Sequence, residues 1–187
     1  MPVTGEPTAA RPVGRWPRRS RRTLVLQDPG QVEGPRPGPE GAVVLVDRPE
    51  PRRSGRPRVV AAVRDLPAEL AVLDEATDLA RGVGAEVVIA HAVPLSFGEH
   101  SVGLAEAVHH GREVLQAARQ RVADQAPDVP VSTTLARRWA HELLGEDLDA
   151  DLVVLGGWRA DRRGGLGLVA HSAVHHAPCP VLLVPRD

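Results

Sequence analysis

A single cysteine, Cys179, excludes any intrachain disulfide, and with it the usual covalent staple of a secreted domain. Lysine, asparagine and tyrosine are absent, so all of the 23 basic residues are arginines. We read that absence as the base composition of a GC-rich genome and attach no chemistry to it. No apolar run approaches the roughly 20 residues that a membrane-spanning helix needs. The N-terminus has arginines without the apolar stretch of a secretory signal. These absences lead to the expectation of a soluble, cytoplasmic protein with no membrane partner.

The charge that is present is unevenly placed. Residues 1–57 hold 11 of the 18 prolines and 11 arginines against 6 acids, whereas residues 58–187 hold 12 arginines against 18 acids. The net charge of −1 thus hides a basic arm and an acidic body. Segment 1–22, with Arg15, Trp16, Pro17, Arg18, Arg19, Arg21 and Arg22, has neither helical nor strand period and is expected to be of low order. Two short apolar runs, Thr23–Leu26 and Ala42–Val46, are strand candidates separated by the Pro/Gly-rich stretch 29–41, and a linker spans Pro49–Pro57.

From Arg58 onward the pattern becomes strand, helix, strand. Val59–Val63 reads as a strand buried on both faces, and Pro67 suits a first helical turn. Leu66, Leu70, Leu73, Ala76 and Ala80 then make an apolar stripe that Gly84 ends. Glu86–Val93 is a second strand, and a loop with Pro94, Phe97 and Gly98 leads to a helix over about 103–126. That helix carries Leu104, Val108, Gly111, Leu115, Ala118 and Val122, alternating steps of four and three. Val129–Leu135 reads as a strand, Trp139–Leu148 as a helix, Leu152–Leu155 as a strand, Leu168–His176 as a helix and Val181–Val184 as the closing strand. Such alternation implies a parallel sheet with helices on both faces. Ligands of such sheets bind beyond the C-terminal strand ends, here at 64–66, 92–95 and 156–168.

Three stretches of residues 58–187 together resemble the universal stress protein family. They are Val59–Val63 with its following helix, Gly84-Ala85-Glu86-Val87-Val88-Ile89-Ala90-His91-Ala92-Val93-Pro94, and Asp151–Gly156 with the ending His175-His176-Ala177-Pro178-Cys179-Pro180-Val181-Leu182-Leu183-Val184. The resemblance implies a five-stranded, mostly parallel, Rossmann-like three-layer α/β sandwich of the adenine nucleotide alpha hydrolase-like type. It also implies a homodimer formed by edge pairing of Val181, Leu182, Leu183 and Val184.

One branch of that family binds ATP, through an acid ending the first strand and a loop of the form G-x2-G-x9-G-(S/T). By resemblance the nucleotide positions here are Asp65, Ala92, Gly156, Gly157, Arg159, Gly165, Gly167 and Leu168. Glycines in such a loop let backbone N–H groups approach phosphate at a helix N-terminus. This chain departs from the pattern. Arg64 displaces the acid to Asp65, Arg159 replaces the second glycine, and Leu168 replaces the hydroxyl. Gly156 to Gly167 is 11 residues, two short of the pattern. Arg159, Arg162 and Arg163 offer a side-chain route to an anion instead. The expectation is a degenerate loop and no resident cofactor, with ATP the one candidate.

The remaining clusters are weighed the same way. Gly41–Pro49 looks like a closing strand followed by a linker, so residues 1–57 are either the remnant of a first copy or an unrelated tail. The arginine arm with Trp16 has the makings of a nucleic-acid contact, but a solvated arm is the expectation. His171 and His175 sit four apart on a helix without an evident third ligand, so no metal site is expected. His109 and His110 are adjacent, and so lie on different faces of their helix. Cys179 between two prolines reads as a packed thiol, Trp139 as a helix-cover residue, and Arg64 with Asp65 as either a salt bridge in the crevice or a loop ion pair.

The functional expectation is a non-catalytic stress-response regulatory protein with an unidentified protein partner. Its alternatives are an ATP-binding member with weak hydrolysis, for which Asp65 and Asp161 are the candidate acids, and a nucleic-acid binder using the arm.

Overall fold

The computed structural model describes Trp16 and residues 23–32, 42–48, 55–94, 103–158 and 165–185. Seven strands, β1 (Thr23–Leu26), β2 (Val43–Val46), β3 (Arg58–Ala62), β4 (Glu86–Val93), β5 (Val131–Arg137), β6 (Leu152–Gly156) and β7 (Val181–Val184), form one sheet in the order β1-β2-β7-β6-β3-β4-β5. Every neighbouring pair is parallel except β2 with β7. Four helices connect or flank the strands: α1 (Leu70–Val83), α2 (Gly103–Gln125), α3 (Ala140–Leu143) and α4 (Leu168–His176). A single 3-10 turn, Pro29–Val32, lies between β1 and β2.

The sheet's residues alternate between two apolar layers, as the pleat requires. On one face Val59, Ala61, Val87, Ile89, Leu152, Val154 and Leu182 meet α1, α2 and Trp16. On the other, Val60, Val153, Leu155, Val181 and Leu183 meet Leu144, α4 and Val32 of the 3-10 turn. The apolar stripe of α1 becomes Val72, Leu73, Ala76, Leu79 and Ala80, all buried, and Gly84 ends the helix at φ 69° with its N–H on Ala80 O. A bidentate pair then fixes α2 against α1: the Arg121 guanidinium reaches both Asp74 oxygens at 2.9 Å.

Two expectations are corrected here. The sheet has seven strands, not five, and Val181–Val184 is an interior strand. β7 pairs with β6 on one side and, antiparallel, with β2 on the other, Val44 facing Leu183, Leu45 facing Leu182 and Val46 facing Val181. Four-residue apolar runs set between prolines and glycines have no periodicity to announce them. They become strands because β7 offers an unpaired row of backbone groups. All four residues of β2 are buried, and each Val or Leu side chain so covered contributes about 1.5–3 kcal/mol relative to exposure, as an upper estimate. The helix expected at Trp139–Leu148 is one turn long, because Gly145 and the acids Glu146, Asp147 and Asp149 do not extend it. The loop with Phe97 and Gly98, and all of segment 1–22 except Trp16, lie outside the described residues.

Gly111, in the middle of α2, lies close against the sheet. A Cβ there would sit 2.8 Å from Leu135 Cδ1 and 2.9 Å from His91 Cδ2. Exposed helix positions gain about 1 kcal/mol when glycine becomes alanine, but overpacking costs about 1–3 kcal/mol. Gly111→Ala should therefore lower stability by about 1 kcal/mol or more in urea unfolding. A midpoint at higher urea than the native chain would show that this layer has room.

Candidate functional site

Three parallel strands end together where the order of the sheet reverses, β3 sending its crossover to β4 on one side while β6 lies on the other. Just beyond those ends is a cavity of about 270 Å³. Its floor is Ala62, Val63, Ala90, Ala92, Leu155 and Gly156, and its sides are α3 with Leu143 and the first turn of α4 with Leu168. The volume lies near the small end of ligand sites, which run to about 300–1,000 Å³, and the lining is largely aliphatic.

The acid in the wall is Glu69, not Asp65. Glu69 is 4% exposed and lines the cavity. Its Oε2 accepts the backbone N–H of Arg64 and, at 3.3 Å, that of Asp65. Asp65 turns outward: its Oδ1 accepts the N–H of Leu66 at 2.8 Å and lies 4.0 Å from His110 Nε2, with about half of both side chains exposed. This contact takes the place of the expected pairing with Arg64. The sequence placed the acid by its distance from the strand. The chain turns over residues 64–69 before α1 begins, so the inward carboxyl is the one at the mouth of the helix. The signal that could have found it is an acid at the residue before Leu70, close enough in sequence for its carboxyl to accept the N–H groups of the turn at 64–65.

The glycine-rich segment divides. Gly156, Gly167, Leu168 and Ala92 line the cavity. Gly157 serves the fold: its N–H donates to Val184 O at 2.8 Å, and a Cβ would lie 3.2 Å from Leu183 Cβ. Gly165 faces open space. Trp158, 4% exposed, pairs with Leu166 in an isolated antiparallel bridge that pinches the base of the loop and sets Gly167 beside Gly157. Arg159, Asp161, Arg162 and Arg163 lie outside the described residues. At the first position of α4, Leu168 is 84% exposed, and Gly167 as N-cap supplies no side-chain acceptor.

The other candidates fall elsewhere. His171 and His175 lie with ring centroids 4.6 Å apart and planes tilted by 40°, and among the described residues no group of three or more metal-ligating side chains gathers. Cys179 is buried in the layer that holds α4. Trp139 is 41% exposed at the N-cap of α3. Among the described residues, no helix is long and apolar enough to cross a membrane.

An α/β protein of the doubly wound kind, with a small cavity at its topological switch point, is the class this geometry defines. The profile of the Universal stress protein family matches residues 55–185, and the chain belongs to that family. A universal stress protein from Archaeoglobus fulgidus superposes with a TM-score of 0.58 at 23% identity, covering 71% of this chain and 99% of its own. A putative universal stress protein from Pseudomonas aeruginosa UCBPP-PA14 superposes with a TM-score of 0.57 at 17% identity, covering 89% of this chain and 64% of its own. That share of this chain is too large to lie within residues 55–185, so the match reaches into the N-terminal segment. Two further solved universal stress proteins are complexes, that from Archaeoglobus fulgidus with dAMP (22% identity, TM-score 0.53, 71% of this chain and 98% of its own) and another with cAMP (21%, 0.55, 72% and 100%). No curated protein matches the chain.

Behind the cavity wall, His91 is 6% exposed, and its Nδ1–H donates to Val63 O at 3.0 Å. Burial lowers its pKa below the usual 6.5; the bond to Val63 and the acids Glu69 and Asp65 oppose that, while His110 adds to it. Between the lowered folded pKa and the unfolded value near 6.5, the unfolded chain binds more protons. The contribution of His91 to stability is therefore complete above that window and declines as pH falls through it. Urea midpoints measured from about pH 8 down to about pH 5 should fall more steeply for the native chain than for His91→Gln, whose amide can still donate to Val63. Equal slopes would show that His91 is not the group responsible.

Proposed function

We propose that the chain is a non-catalytic, regulatory universal stress protein whose cavity no longer closes on a nucleoside triphosphate. The observation that carries this reading is the pairing of an inward carboxyl, Glu69, with an exposed Leu168 at the helix end nearest the cavity. A phosphate chain is held by N–H groups at a helix N-terminus and by hydroxyl or basic side chains. Here the described wall is mostly aliphatic carbon with the carboxyl of Glu69 beside Arg64, the cation it offers a phosphate, and the loop is two residues shorter than the binding pattern. The solved dAMP and cAMP complexes of two universal stress proteins support an adenine-type ligand as the first to try, with one phosphate instead of three. The acid of the wall, with no positioned base among the described residues beside it, gives no support to a hydrolytic reading, and the protein acts through contacts with another protein.

Calorimetry on the full chain should give ATP a Kd no tighter than about 1 mM, which is about −4 kcal/mol, and phosphate release from ATP should not exceed the protein-free rate. Leu168→Ser should tighten nucleotide binding by several fold by returning a hydroxyl to the helix end. Micromolar ATP affinity, or phosphate release above the protein-free rate, would overturn the reading.

A further inference from the structure

The two N-terminal strands stand in a defined relation to the last two of the domain. β1 runs parallel to β2 as β6 runs parallel to β7, and β2 meets β7 antiparallel, so the order β1-β2-β7-β6 reads the same from either end. A local two-fold axis normal to the sheet through the Leu45–Leu182 pair exchanges Val44 with Val181 and Val46 with Leu183. It carries the observed Val44–Leu183 pair onto the observed Val46–Val181 pair. The same rotation places Leu24, Val25 and Leu26 on Val153, Val154 and Leu155, with each residue keeping its face of the sheet. The connections obey it too. Val32, on the turn joining β1 to β2, is buried in the same layer as Ala170, Ala173 and Val174 of α4, which joins β6 to β7.

This is the geometry of an isologous interface, in which one surface meets its own like about a two-fold axis, built inside one chain. A bare β7 would present an apolar edge able to pair with β7 of another copy, Leu182 opposite Leu182. Leu45 of the same chain stands in that place. We propose that residues 23–48 are a built-in substitute for a second copy, closing the open side of β7 and leaving the protein a monomer at this face.

Two contacts beyond the strands hold the substitute down. The Arg48 guanidinium donates to Ala177 O at 3.0 Å and to Val174 O, capping the C-terminal carbonyls of α4. Trp16, 5% exposed, joins the opposite layer with Val43 and Leu45. The segment is therefore anchored on both faces of the sheet as well as along its edge. The inference does not depend on what the cavity binds.

The full chain decides it through cross-links. Directly opposed residues of an antiparallel pair have Cα atoms about 4.5–5.5 Å apart, within disulfide range. In a Cys179→Ala background, Leu45→Cys with Leu182→Cys should oxidise to a species of one-chain mass that has lost both thiols. Leu182→Cys alone should give no covalent dimer. A two-chain product from the double variant would mean that β2 is supplied by another copy. A covalent dimer from Leu182→Cys alone would mean that β7 meets β7. Either result overturns the proposal.

Discussion

The backbone groups of β7 must be paired on both sides, and this requirement organises more of the molecule than any other contact. β7 is four apolar residues, all buried, with β6 on one flank. In a parallel sheet the helices cover faces and leave edges open. The strand farthest from the first crossover therefore needs a partner that no helix can supply. Here β2 supplies it, β1 extends the sheet by one more strand, and the core continues across the junction without a seam. A basic, proline-rich arm and an acidic α/β body thus share one sheet, despite their opposite composition.

The cavity depends on the same sheet in another way. Its floor is made by strand ends that the ladder fixes, while its sides are a one-turn helix and the first turn of α4. The rigid part is the part common to doubly wound folds, and the variable part is what sets the ligand. Glu69 at the start of α1, Leu168 at the start of α4 and the short loop pinched by Trp158 and Leu166 all belong to the variable part. Family membership follows from residues 55–185 as a whole, whereas the cavity's character is set by a few local residues.

Residues 86–93, 168–176 and 181–184 were legible in the sequence to their last residue, because glycine or proline punctuates their ends within an alternating strand–helix pattern. The helix over 103–125 was legible from its alternating steps. The acid of the site was not. Which of Asp65 and Glu69 points inward depends on the path of a short turn, and spacing along the chain does not encode that path. The role of Gly157 was hidden for a similar reason, since a glycine needed for ligand approach and one needed for packing on β7 look alike in one dimension. β2 was visible as a strand candidate, yet its place beside β7 arises from a vacancy created by residues more than a hundred positions away.

Arg48 gives α4 an unusual mechanical position. Its guanidinium grips the carbonyl end of a nine-residue helix whose opposite end forms a side of the cavity. So short a rod tilts before it bends, and the two ends move as one body. A change in the seating of Arg48 would therefore reach the pocket mouth through α4, although no described side chain of the arm lines that mouth.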